Sequence, residues 1–195
     1  MKQDTHQLRM TAYASLMAAL TAVGAYISIP IGPVPIVLQN LFVFLTGLLL
    51  GRKWGAMAIG TYLMAGVCGL PVFAGGKGGI GHVIGPTGGY LIGYLPAVFL
   101  IGILAEKGRG RALFDLLGLL LGAAAIYALG VTWLKQVTGM SLSKTLALGV
   151  YPFLIGDALK IAVTIPLARK LRPLVEGMPQ VEEMGTARGV RGHEK

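Results

Sequence analysis

The segment "IGDALKIAV", residues 155–163, sets a carboxylate and an ammonium three residues apart in a run otherwise apolar from Thr145 to Ala168. Three residues of α-helix turn the chain by about 300°, so Asp157 and Lys160 share one face, about a turn apart. Each charge costs about 2.5–3.5 kcal/mol at the centre of a membrane span, and ionisable residues there default to functional sites. Two uses are open: a neutral pair that clamps this segment to a neighbour, or a site whose charges are completed by a small polar solute. Pro152 and Gly156 flank the approach to the pair and predict a kinked helix with freed backbone groups. Glu106 and Asp115 fall at the borders of other spans, so no further internal charge is expected to partner the pair.

Further polar groups gather on the same side. The stretch "SIPIGPVPIVLQN" ends in Gln39 and Asn40, and its prolines at 30, 33 and 35 favour an extended, stiff segment. The stretch "VFAGGKGGIGHVIGPTGGY" places eight glycines between Gly75 and Gly89. That density suits either a flexible linker or close backbone approach to a ligand, and Gly75, Gly76 and Gly79 are the candidates for the second role. It is not a phosphate-binding P-loop: Gly78 follows Gly76-Lys77 where Ser or Thr is needed, and Pro71 stands in place of the first glycine. His6 and His193 lie in tails and His82 stands alone in the loop, so no metal site is expected, and no Gly-x-Ser-x-Gly elbow occurs. His82 reads as a polar loop residue. The single Cys68 reads as a small core residue, unable to form an internal disulfide. Catalysis finds no support, and no cofactor is implied.

The elements that must position these residues are membrane helices. The 195-residue chain is 54% hydrophobic and 13% charged, against about 25% charged in soluble domains. No charge occurs from Met10 to Gly51, from Trp54 to Gly76 or from Leu116 to Leu134. An all-α polytopic membrane protein follows, with six transmembrane helices near 10–30, 34–50, 55–72, 87–105, 113–133 and 146–168. These occupy one domain, residues 1–172, and residues 173–195 read as a disordered cytoplasmic tail. Thirteen Lys and Arg residues fall on the side of the termini, against Lys77, Lys135 and Lys144 on the other. The positive-inside rule therefore puts both termini in the cytoplasm. The net charge of +9 is thus a topology signal with anionic membrane lipids as partners, not a nucleic-acid footprint. A cleaved signal peptide is the weaker reading of the first span, because its apolar run continues to Ile31. Ala14, Ala18 and Ala22 form a four-residue stripe of small side chains on that span, and Gly47/Gly51, Gly89/Gly93 and Gly118/Gly122 repeat the spacing.

Three strings, "GPVPIVLQNLFVFLTGLLLG" (32–51), "GLPVFAGGKGGIGHVIGPTGGYLIGY" (69–94) and "GDALK" (156–160), resemble the BioY family of biotin-specific substrate-binding subunits of energy-coupling factor (ECF) transporters. The resemblance runs from Arg9 through Arg172, and His82 departs from its pattern. It implies six helices around an outward-facing pocket closed by the first two outer loops. It also implies biotin as ligand, with Asp157 or Gln39 accepting from the ureido N–H groups. Lys160, Asn40, Tyr90 or loop N–H groups would donate to the ureido oxygen and carboxylate, and Phe73, Tyr94 and Tyr151 would supply apolar walls. The implied partners are a transmembrane coupling protein, touched at Ala14 and Ala18, and cytoplasmic ATP-binding subunits that carry the P-loop missing here. The alternative is a self-sufficient secondary transporter of a small carboxylated vitamin, with Asp157 as the proton-coupling group. That reading would gain from an inverted repeat, and none is visible.

Reporters fused at residues 3, 77 and 190 test the orientation. The first and third are expected inside and the second outside; an outside signal at either terminus overturns the six-span topology.

Overall fold

The computed structural model describes residues 2–30 and 32–176. Within them, seven helices follow in order: α1 (Lys2–Tyr26), α2 (Gln39–Val67), α3 (Ile80–Ile84), α4 (Gly88–Gly108), α5 (Ala112–Thr138), α6 (Leu142–Gly149) and α7 (Tyr151–Glu176). Two short strands, β1 (Ser28–Ile29) and β2 (Ile36–Val37), pair antiparallel with Ser28 opposite Val37 and Ile29 opposite Ile36. Five helical segments are long and apolar enough to cross a bilayer, α6 and α7 counting as one.

The second of these crosses twice. Gly51 sits at φ 70 and ψ −173, a region that is essentially glycine-only, and there α2 folds back on itself. The Gly47 α-carbon lies 3.7 Å from where a side chain at Gly55 would begin, a distance impossible along eight residues of straight helix. Gln39 hydrogen-bonds Tyr62 across the two arms for the same reason. The arms, 39–50 and 52–67, correspond to the second and third expected spans, so the chain makes six passes. Glu106 closes the turn: its Oε1 accepts from the Arg52 backbone N–H at 2.8 Å and its Oε2 lies 3.3 Å from Arg52 Nε. Gly102 must stay small as well, since a Cβ there would collide with the Arg52 backbone.

The arm 39–50 is about 18 Å long, short of the roughly 30 Å hydrocarbon core. Ahead of it, Val34 of the β1–β2 connection is only 5% exposed, so part of the first loop packs against the helices. Non-helical backbone at membrane depth is tolerated where protein surrounds it. The three-proline stretch expected to be extended joins two paired strands, with Val34 packed inward and Ile29, Pro30 and Gly32 exposed.

Glycine pairs knit α4 to α5. Gly93 faces Ile126, and Gly118 and Gly122 both receive Ile101. Gly89 abuts Trp133, whose Nε1 donates to the Gly85 carbonyl at 2.9 Å. Close approach of this kind supplies the dispersion contacts that replace a hydrophobic driving force inside lipid. At the end of the bundle that holds the α2 turn, Arg172 of α7 reaches Asp115 of α5 at 2.6 Å, with the Asp115 side chain wholly buried. Breaking a buried pair costs about 3–5 kcal/mol. Tyr13 donates to the Leu174 carbonyl at 2.9 Å, so α1 and the end of α7 meet at that same end.

Several local expectations need correction. The last span breaks at Val150 (φ −129, ψ −61) between α6 and α7, ahead of Pro152, and Gly156 lies in regular helix. Ser141 caps α6 by accepting from the Lys144 backbone N–H. The helix α7 runs through Pro173 to Glu176, four residues past the boundary expected at 172, and residues 177–195, where a disordered tail is expected, lie outside the described residues. Cys68 is an exposed cap residue at the end of α2 rather than part of the core.

Gly51→Ala is expected to cost about 1–3 kcal/mol from backbone strain alone, with an added clash 2.5 Å from Glu106 Oε1. Gly60→Ala, with nothing within 4 Å, is the control. Detergent melting curves check this: a large drop for the first and no drop for the second are expected.

Candidate binding site

Asp157 is 4% exposed and each carboxylate oxygen is partnered. Lys160 Nζ donates to Oδ1 at 2.8 Å, one turn along α7. Asn40 Nδ2, at the start of α2, points to the same oxygen at 3.5 Å. The Tyr127 hydroxyl of α5 donates to Oδ2 at 2.5 Å. Asn40 in turn accepts from the Tyr94 hydroxyl of α4 at 2.8 Å, which fixes its amide with the oxygen toward α4 and the nitrogen toward Asp157. Three helices therefore converge on one carboxylate, and α4 joins them through Asn40. Bonds to an ionised acceptor are about twice as strong as neutral ones, and the low local dielectric strengthens them further.

This cluster floors a small cavity whose other walls are Val34, Pro35, Val37, Tyr90, Ile126 and Phe153. The walls are apolar apart from the tyrosine hydroxyls, and Tyr90 directs its own to the Gly149 carbonyl at 2.8 Å. Gly130 makes room for the Tyr90 ring, which a Cβ there would strike. A second recess lies beyond Val34 and Pro35, with Gln39, Ala74, His82, Thr87 and Leu91 on its sides. A third, open recess follows, between the first loop and the segment 74–87. Apolar walls with a few fixed polar groups are the usual composition of a small-molecule site.

Of the residues expected from the sequence, Asp157, Lys160, Asn40, Tyr90 and Tyr94 meet in the inner cavity. Gln39 lines the second recess, its Nε2 held by the Tyr62 hydroxyl at 2.6 Å. Gly75 lines the open recess. Gly76 and Gly79 serve the loop itself: Gly76 packs on the Tyr26 ring, and the Gly79 N–H donates to the Gly66 carbonyl at 2.7 Å.

Two expected walls are elsewhere. Phe73 is fully buried in the space that Gly66 leaves open, edge-on to Tyr62 (5.7 Å, 77°) and stacked on His82 (5.4 Å, 20°). It anchors the loop rather than lining a cavity. Tyr151 is 60% exposed on the outside of α7. Ala14 and Ala18 also need correction as a partner surface, because both lie in the core of this chain at 8% exposure. The open face of α1 carries Ala12, Ser15 and Ala19 instead.

Sequence reading does not single out Tyr127 or Tyr62. The available signal is a hydroxyl in a span with few other polar groups, which an aromatic wall residue shows equally. His82, in the short α3, hydrogen-bonds Thr87 (Nε2 to Oγ1, 3.2 Å), and burial followed by the charge of Lys77 pushes its pKa below the ordinary histidine value. Among the described residues no group of three His, Cys, Asp or Glu could hold a metal ion.

Known proteins share both the sequence and the fold. The family model described as "BioY family" matches residues 1–177. A protein named "Biotin transporter BioY" from Thermotoga maritima is 44% identical over 167 residues, covering 86% of this chain and 98% of its own length. One named "Probable biotin transporter BioY" from Pyrococcus horikoshii is 46% identical over 158 residues, covering 81% and 93%. A solved structure, the S-component for biotin from an ECF-type ABC transporter, superposes with a TM-score of 0.81 at 34% identity over 86% of this chain and 93% of that one. These relatives are transporters, not enzymes. By the extent of these matches, this multi-pass membrane protein belongs to the BioY family.

Proposed function

We propose that the chain binds biotin in the inner cavity, entering from the end that carries the glycine-rich loop, and mediates its uptake across the cytoplasmic membrane. The observation that carries the proposal is the buried Asp157 carboxylate, held by Lys160, Asn40 and Tyr127 at the floor of an apolar-walled cavity. Biotin has matching chemistry: a ureido group that both donates and accepts, an apolar bicycle and a chain ending in a carboxylate. Lys160 gives Asp157 one of the three hydrogens that an ammonium offers, leaving two for a ligand oxygen. Val34, Val37, Ile126 and Phe153 suit the apolar rings and chain. The names of the relatives support the same ligand.

The finer reading is that the chain is the substrate-binding subunit of an ECF-type transporter, working with a coupling protein and ATP-binding subunits. Its support is the structural likeness to an S-component for biotin, together with a sequence that carries no P-loop. The α1 face with Ala12, Ser15 and Ala19 is open to such a partner, whereas a tryptophan at Ala14 or Ala18 would disturb the chain's own packing.

A ligand that binds only the folded state stabilises it by about 2.7 kcal/mol at one hundred times its dissociation constant. Biotin is expected to raise the melting temperature of the purified chain, while thiamine and riboflavin at matched concentrations do not. A smaller shift with biotin amide places a cation at the carboxylate end. The double substitution Asp157→Asn with Lys160→Met removes both charges without orphaning either, so the protein is expected to fold and to bind biotin at least tenfold more weakly, about 1.4 kcal/mol. Unchanged affinity in that variant would make the pair a structural clamp, and no shift with biotin would exclude it as the ligand.

A further inference from the structure

The geometry points to a second ligand subsite: the open recess at the mouth captures the carboxylate of an incoming ligand, with Lys77 as its cation. The inference rests on the biotin reading and extends it from where the ligand ends to how it arrives.

The three recesses lie in a row, each sharing a wall with the next. The open recess shares Pro35, Ala74, His82 and Thr87 with the second, and the second shares Val34, Pro35, Tyr90 and Tyr94 with the inner cavity. One side of the second recess is the start of α4, since its N-cap Thr87 and then Tyr90, Leu91 and Tyr94 recur at helical spacing. The open recess is therefore the outermost of the row that ends at Asp157.

Charge at this end is one-sided. This end carries Lys77 in a loop, Lys135 in the last turn of α5 and Lys144 in α6, and no aspartate or glutamate in the connecting segments. Only Lys77 of the three lines the recess. Its side chain is exposed, but its backbone is fixed: Lys77 exchanges hydrogen bonds with Phe73, 2.8 Å from the Phe73 N–H to its carbonyl and 3.3 Å in return. Phe73 is seated against Gly66 and His82, so the ammonium swings from a rigid base. The electrostatic reach of Lys77 to the recess wall is visible in its lowering of the His82 pKa, second to burial. His82 is thus neutral at pH 7, and with Thr87 it offers uncharged hydrogen-bonding atoms beside one positive charge.

A solvent-exposed cation in a charge-biased cleft raises the encounter rate of an anion more than it deepens the final complex. The inference is therefore kinetic. Association and dissociation of biotin are measured by stopped flow on the full chain in nanodiscs of neutral lipid at low salt. Lys77→Gln is expected to slow association by about threefold or more and to leave dissociation within about twofold. Added salt is expected to shrink the difference, and Lys77→Arg to restore the rate. Biotin amide, without the charge, is expected to associate equally fast with both forms. Lys135→Gln, at the same end but outside the recess, is expected to have a smaller effect than Lys77→Gln. The capture site is overturned if Lys77→Gln leaves biotin association unchanged, slows biotin amide equally, or is matched by Lys135→Gln. Absence of biotin binding by the unaltered chain overturns the biotin reading and the capture site together, whereas normal binding with an unchanged rate removes the capture site alone.

Discussion

A carboxylate inside hydrocarbon has to be answered by donors, because no water is there to do it. Asp157 collects one donor along its own helix and two from other helices, Asn40 of α2 and Tyr127 of α5, with Tyr94 of α4 one bond further out. These bonds are short-ranged and directional, so the four elements cannot slide past one another without leaving part of the charge unmatched. The position of Asn40 then sets where α2 begins. That helix must start well inside the bundle, and the first loop has to follow it down. The Val34–Pro35 segment, with Val34 buried, separates the inner cavity from the second recess as a consequence of satisfying one carboxylate.

The two ends of the bundle are held by different physics. At the end with the termini, Arg172–Asp115 and Arg52–Glu106 join α7 to α5 and the turn of α2 to α4. The opposite end carries no ion pair among its described loops, and its order comes from backbone hydrogen bonds, the β1–β2 pairing and aromatic seats such as Trp133 over Gly88 and Gly89. Such contacts can be remade individually at lower cost than a buried ion pair. The end proposed to admit biotin is thus the end with the cheaper attachments.

Much of this is legible in the sequence, and what is not has identifiable causes. Charge-free runs mark the spans because lipid tolerates few charges, and the Arg52-Lys53 pair between two short runs correctly separates the arms of α2. Asp157, Lys160, Asn40, Gln39, Tyr90 and Tyr94 stand out as polar groups in apolar surroundings, and all of them line a recess. Burial is less readable. A stripe such as Ala14–Ala18 shows that a close contact exists but not whether the other side is a helix of the same chain, and here it is. Phe73, Tyr127 and Tyr151 look alike in sequence, yet one is a loop anchor, one a hydrogen-bond donor to Asp157 and one lies outside. Only the three-dimensional course of each helix separates them. The break at Val150 escapes the sequence because Pro152 and Gly156 are the conspicuous residues there, although a proline fits comfortably in the first turn of a new helix.

The seat of Phe73 has a consequence for how this chain can change over time. Its ring fills the volume that a side chain at Gly66 would need, and a Cβ there would overlap the ring atoms. Neither residue can be enlarged alone, and shrinking Phe73 alone would open a void of the kind that costs several kcal/mol in a packed interior, about 3–5 for Phe to Ala. The two positions therefore form a single heritable unit across the mouth of the bundle. A lineage that replaced one would have to replace the other in the same step, or cross an intermediate whose glycine-rich loop had lost its footing.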